Sequence, residues 1–254
     1  MKKLTIFIED ACFTNKHLAY CKQRHQEGID QINIQLLMDA FVMVELFHLE
    51  CENETYITLD SLKGSEDIRL SLGFKFKDLS EKGRDYALKH RLFIEDMVSK
   101  EMNDKRLHHT LEVAKLAQEL AIIHHLDGNK AYLMGLLHDV SKQWDKKLQL
   151  ELMKQYFALF LDEPKALYHQ HTALIWIDEH LGELDSYLLD AIAHHGSGDL
   201  IEPYAMILFI ADKIEPTRGY DVKEALALSK QDLKQGFDMV KEYQQTFLKV
   251  RGIV

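Results

Sequence analysis

Three prolines in 254 residues, the first of them Pro164, leave this chain few places to turn abruptly. Glycine adds only 12 more. Sandwiches and barrels built of many short strands need such residues at their turns, so the scarcity disfavours them and favours long helices. From about residue 85 to 250 almost every segment repeats its apolar residues at helical period. With 46% hydrophobic and 28% charged residues, the chain is an ordinary globular composition with ample core material. The longest apolar run, Ala205 to Ala211, is far too short to span a bilayer. Glu9 and Asp10 interrupt the apolar stretch that follows Lys2 and Lys3, so no secretory signal is legible. Cys12, Cys21 and Cys51 show no close metal-type pairing and suit a reducing cytoplasm, the expected location.

The formal charge of −10, from 31 basic and 41 acidic residues, argues against a protein that grips nucleic acid through its phosphates. A small anionic substrate is still compatible, because bound metal ions can reverse the local field. Histidine is the abnormal component: 10 of the 14 lie after residue 107, which raises the question of which ones converge.

Residues 1–95 read as a small α/β segment. It comprises a strand-like run over 4–8, a helix over roughly 30–48 and a second strand-like run over 55–59. Gly73 and Gly83 flank a charged boundary stretch, and a mainly α domain follows over 96–254. In it, residues 105–126 put Val113, Leu116 and Leu120 on one stripe, and residues 130–141 do the same with Ala131, Met134 and Gly135. Asp185 suits the N-cap of a helix that stops by Gly196, and Pro203 suits the first turn of a helix ending before Pro216. That last helix is apolar all round and is expected at the centre.

Positions four, seven and eleven residues apart share a helix face. His109 therefore falls on the stripe of Val113, His138 on that of Met134, and His195 on that of Leu188 and Ile192, while Asp212 ends the most apolar segment. A single such histidine is usually a core residue with a local hydrogen bond. Together the groups say more. Buried Asp139 and Asp212 require cations, and the surrounding faces offer few basic side chains. Neutral imidazoles beside buried carboxylates are a donor set that divalent first-row metals accept.

These residues occur in ordered blocks: Lys105 to Leu111 around His109, Gly135 to Lys142 around His138-Asp139, Leu167-Tyr168-His169, Asp190 to Gly198 around His195, and Ala211-Asp212-Lys213-Ile214-Glu215-Pro216-Thr217-Arg218. The pattern resembles the HD superfamily of metal-dependent phosphohydrolases, and within it the YqeK-type symmetrical bis(5′-nucleosyl)-tetraphosphatases. The resemblance implies an HD-domain helical bundle. It also implies a dinuclear site, with His109, His138, Asp139 and Asp212 on one cation and Asp139, His169 and His195 on the other. His171 beside His169 leaves a neighbouring ligand open. Iron is the implied metal, and such a donor set also accepts manganese, cobalt, nickel or zinc. The implied reaction is symmetrical cleavage of diadenosine tetraphosphate to two ADP, in a homodimer. Asp139 and Lys142 are the catalytic candidates; Lys142 is on the face of His138 if that helix continues. Arg106, Ser197, Gly198, Glu215 and Arg218 are the substrate-binding candidates. Two alternatives stand beside this reading: an HD-type nucleotidase acting on nucleoside mono- or triphosphates, and a non-catalytic nucleotide sensor. His124, His125 and His180 are expected to face solvent.

Residues 1–95 faintly resemble a shortened nicotinate-nucleotide adenylyltransferase, through the 4–8 strand, Thr14 to Leu18 and Ser65 to Arg69. Lys16 replaces the glycine expected before His17, and no glycine precedes Gly28, so the phosphate-admitting turn is missing. A non-catalytic remnant is the expectation.

Overall fold

The computed structural model describes residues 2–7, 29–35, 94–218, 221–250 and 252, with isolated positions between 76 and 91. The chain divides into two compact units, Met1–Phe93 and Ile94–Val254. In the first, strand β1 (Lys2–Phe7) pairs in parallel with β2 (Ile29–Gln35), Leu4 opposite Ile32 and Ile6 opposite Ile34. The helix expected from residue 30 is thus corrected over its first residues. Ile32-Asn33-Ile34-Gln35 alternates apolar and polar side chains with β-branched residues, the strand pattern, whereas the helical reading rested on the leucines beyond. The rest of that helix, the run over 55–59, and the motifs at 14–18 and 65–69 lie outside the described residues.

The second unit is helical. In order come α1 (Ile94–Ser99), α2 (Asp104–Ile123), α3 (Gly128–Leu137), α4 (Lys146–Tyr156), α5 (Tyr168–His180), α6 (Ser186–His194), α7 (Pro203–Ile214), α8 (Lys223–Gln231) and α9 (Leu233–Val250). Side chains of Asn103, Asp127 and Asp145 accept from the first free amides of α2, α3 and α4, and Pro203 opens α7 where its missing N–H costs nothing. Asp185 precedes α6 as expected, but its carboxylate turns to Lys130 and Tyr187 and does not cap the helix.

Helix α7 is the centre. Every residue from Ala205 to Asp212 is buried, and the helix packs against α2, α3, α6 and α9. Phe209 meets Phe237 of α9 with ring centroids 5.1 Å apart. Helices α2 and α3 approach until Gly135 touches the backbone of Ala114, where a Cβ would lie 2.6 Å from Ala114 Cα. Only glycine permits that approach. Among the described residues, no helix is long and apolar enough to cross a membrane.

Two helix ends differ from the expected spans. Helix α2 stops at Ile123 because His125 takes the left-handed conformation, φ 59°, which a continuing helix forbids. Helix α3 ends at Leu137, and tight turns follow, closed by Val140 N–H donating to the Leu137 carbonyl and Lys142 N–H to that of Asp139. Lys142 therefore leaves the α3 face.

Candidate metal centre

Three histidines sit at helix ends. His138 closes α3 and its Nδ1 lies 2.6 Å from the Gly135 carbonyl; His195 closes α6 with Nδ1 2.7 Å from that of Ile192. His169 opens α5 with Nδ1 2.8 Å from the Ala166 carbonyl. A carbonyl only accepts, so each Nδ1 carries the proton and donates it. In the neutral ring that leaves Nε2 as the lone pair. His109, inside α2, is oriented by Glu215 Oε1 at 3.0 Å from its Nδ1. All four rings are buried and point Nε2 at the same two carboxylates.

Asp139 and Asp212 lie between them. Asp139 Oδ1 is 3.1 Å from His169 Nε2 and 3.6 Å from His195 Nε2, while its Oδ2 is 3.4 Å from His138 Nε2. Asp212 Oδ1 is 3.2 Å from His109 Nε2 and 3.8 Å from His138 Nε2. Three overlapping triads result: His109, His138, Asp139; His138, His195, Asp212; and Asp139, His169, His195, each with donor atoms within 4.8 Å of one another.

The expectation that few basic side chains surround these carboxylates is corrected. Arg106 Nη1 reaches Asp139 Oδ2 at 2.7 Å, and Lys142 Nζ is 3.8 Å from Asp139 Oδ1. Lys213 Nζ is 2.5 Å and Arg218 Nη2 2.7 Å from the Asp212 carboxylate. These cations come from the rim: their stems start where helices end, and the side chains are long enough to reach inward while remaining partly exposed. Burial alone would raise the Asp139 carboxyl, but His138, His169 and His195 beside it hold it well below the ordinary carboxylate range. Asp212 is likewise held down against burial by Lys213, His109, His138 and Arg218. Burial pushes His195 down to about 3 and lowers His169, so both imidazoles are neutral. Burial also pushes the Lys142 ammonium below its usual value, against the pull of Asp139 and Asp212.

With these side-chain cations in place, several donors in the cluster still stay unpaired. His109 Nε2, His138 Nε2 and Asp139 Oδ1 are buried and have no hydrogen-bond partner. A buried lone pair left unsatisfied costs about 1–3 kcal/mol. His109 Nε2 stands 3.2 Å from Asp212 Oδ1, an oxygen that already accepts from Arg218 Nη2 at 2.7 Å. A divalent first-row cation is the partner that such a set of neutral imidazoles and ionised carboxylates accepts. The residues fit a metal.

Six expected donors thus come together: His109, His138, Asp139, His169, His195 and Asp212. Of the two histidines at 169 and 171, His169 is the one that lies in the cluster. His171 turns away, 2.9 Å from Glu163 Oε2 and stacked on Phe160. Lys142 reaches the cluster from its turn, with Nζ 2.9 Å from His169 Nε2. Arg106 and Arg218 contact the carboxylates directly. Glu215 is in the cluster too, behind His109. Ser197 and Gly198 are engaged elsewhere: Ser197 Oγ donates to Asp199 and the His194 carbonyl, and the Gly198 carbonyl accepts from Lys241 of α9. Sequence reasoning gave no role to Lys213, Thr217 or Gln170, though the first two stand in the quoted block around Asp212. Gln170 Oε1 holds the Gly196 N–H beside His195. His124, expected in solvent, bonds the Ser229 carbonyl at 2.7 Å, and His180 stacks on Trp176.

Comparison with known proteins gives consistent matches. Residues 106–217 match the HD domain family. The symmetrical bis(5′-nucleosyl)-tetraphosphatase of Bacillus subtilis (strain 168) is 32% identical over 149 residues, 54% of this chain and 76% of that protein. Its counterpart in Halalkalibacterium halodurans is 31% identical over 147 residues, covering 54% and 75%. A probable nicotinate-nucleotide adenylyltransferase/Ap4A hydrolase of Mycoplasma pneumoniae is 27% identical over 183 residues, 69% of this chain but only 53% of its own length. The chain spans about half the length of the Mycoplasma relatives it matches. A crystal structure of a predicted HD superfamily hydrolase involved in NAD metabolism, from Clostridium acetobutylicum, superposes with a TM-score of 0.59 at 29% identity, covering 63% of this chain and 87% of that one.

Proposed function

This chain belongs to the HD-domain phosphohydrolases, related to the YqeK-type symmetrical Ap4A hydrolases, and from that premise we propose that it cleaves diadenosine tetraphosphate and related dinucleoside polyphosphates symmetrically, giving two ADP. The observation that carries the proposal is the sharing of Asp139 between two donor triads, His109 and His138 lying nearest its Oδ2 and His169 and His195 nearest its Oδ1. In the proposed site His109, His138, Asp139 and Asp212 hold one divalent cation, and Asp139, His169 and His195 hold a second, with iron as the proposed metal. Such a pair supplies phosphate charge neutralisation and lowers the pKa of a bound water toward neutrality.

The chain's own groups do the rest. Backbone carbonyls and Glu215 keep the imidazoles in one tautomer and orientation, and burial keeps His169 and His195 neutral. Lys142 lies partly exposed beside His169, and its proposed role is to hold a phosphate oxygen or to protonate the leaving diphosphate. Arg106 and Arg218, each about one-third exposed, have the reach to turn from the carboxylates onto the polyphosphate. A nucleotidase that uses a single cation has no need of His169 and His195, whose placement on Asp139 supports the dinuclear reading.

Product analysis tests the proposal. Protein loaded with iron, manganese or cobalt converts diadenosine tetraphosphate to ADP alone; AMP together with ATP refutes symmetrical cleavage. Residues 1–93 are proposed to stand outside the chemistry, so His17→Ala leaves turnover unchanged, and a large loss contradicts that. A homodimer belongs to the same proposal.

A further inference from the structure

Three of the four clustered imidazoles share one device: Nδ1–H donates to the backbone carbonyl three residues earlier. His109 departs from it. It lies within α2, where the carbonyls of its own turns serve the helix ladder, and its Nδ1 meets a carboxylate 106 residues away, Glu215 Oε1 at 3.0 Å. Glu215 is 1% exposed and closes α7, three residues after Asp212. The turn that follows fixes it from behind. Thr217 Oγ1 donates to Oε1 at 2.8 Å, the Thr217 N–H donates to Oε2 at 2.5 Å, and Arg218 Nε stands 3.6 Å from Oε1. Arg218 also holds Asp212, so the short turn Pro216–Arg218 braces two members of the cluster at once.

We infer that Glu215 is a positioning residue for His109 and not a group that touches the nucleotide. It fixes the proton on Nδ1, aims the Nε2 lone pair at Asp212 and Asp139, and raises the donor strength of that one ring. A carboxylate behind a metal-binding imidazole commonly changes metal affinity by about 10–100-fold. The inference rests on the metal-centre reading above.

Cobalt(II) titration of the metal-stripped full-length protein, followed by visible absorbance, tests it without reference to turnover. Glu215→Gln keeps shape but loses charge, and is expected to weaken cobalt binding about 10–100-fold. Thr217→Val, which removes one brace, is expected to weaken it less, in the same direction. In a His109→Ala background, Glu215→Gln is expected to have no further effect, because its influence passes through that ring. Far-ultraviolet circular dichroism confirms folding; should Glu215→Gln not fold, Thr217→Val carries the test. Wild-type cobalt affinity in Glu215→Gln, or a raised KM for the dinucleotide with cobalt affinity unchanged, overturns the inference. Failure of the wild-type protein itself to bind cobalt overturns the metal-centre reading instead.

Discussion

Gly135→Ala sets packing against helix propensity, and the two have opposite signs. Gly135 lies inside α3, where alanine is favoured over glycine by about 1 kcal/mol. The added Cβ, however, would stand 2.6 Å from Ala114 Cα and 2.9 Å from Ala114 N. That is about 1 Å short of the ~3.5–4.0 Å separation carbon atoms prefer. Both opposing atoms are backbone, so no rotamer relieves the overlap and α3 must move off α2. Overpacking of this kind costs about 1–3 kcal/mol, and with no flexible side chain to yield the upper end applies. The net expectation is a loss of about 2 kcal/mol, a fall in Tm of about 4–8 °C for a unit of this size. Urea unfolding should show a lower midpoint at an unchanged slope. The site feels it as well, because the Gly135 carbonyl holds His138 Nδ1, so cobalt affinity should fall alongside stability. A variant as stable as wild type, or more so, would refute the close-approach argument.

Asp139→Ala should abolish both metal retention, read by elemental analysis of freshly purified protein, and turnover; retained metal would remove Asp139 from its shared position. Lys142→Met should keep the metal and lower kcat by about 100-fold or more, the usual weight of a positioned proton donor; an effect on KM alone would restrict it to binding. Lys130 pairs with Asp185 at 2.6 Å, and hydrogen bonds from Lys130 and Tyr187 hold the Asp185 carboxyl below its ordinary value. A carboxyl lowered in the folded state contributes stability above its unfolded pKa and loses it as pH falls through the folded one. Both side chains are over two-fifths exposed, at 42% and 45%, so Lys130→Met should cost no more than about 0.5 kcal/mol at neutral pH and flatten the acid limb of the stability curve. A loss well above 1 kcal/mol in chemical unfolding would contradict that.

The helical half was legible because its signals are local. Pro203 and Pro216 bracket α7, and the apolar stripes of α2 and α3 carry His109 and Gly135 to the buried side. The convergence of His109, His138, Asp139, His169, His195 and Asp212 was legible from their order along the chain and the family resemblance it carries. Pairings made by side chains reaching between distant elements were not. Arg106 with Asp139, across 33 residues, and Glu215 with His109, across 106, depend on how helices pack, which no periodicity records. The strand at Ile29–Gln35 was overrun because adjacent leucines extend a helical pattern past a short alternating one. The end of α3 was overrun because nothing in Asp139-Val140-Ser141 breaks a helix outright.

One buried aspartate, Asp139, is proposed to serve two cations. Elemental analysis of the metal-reconstituted protein reads it directly: the wild type should hold two equivalents per chain, and His195→Ala only one. A wild type that binds a single equivalent, or a His195→Ala variant that still binds two, would contradict it.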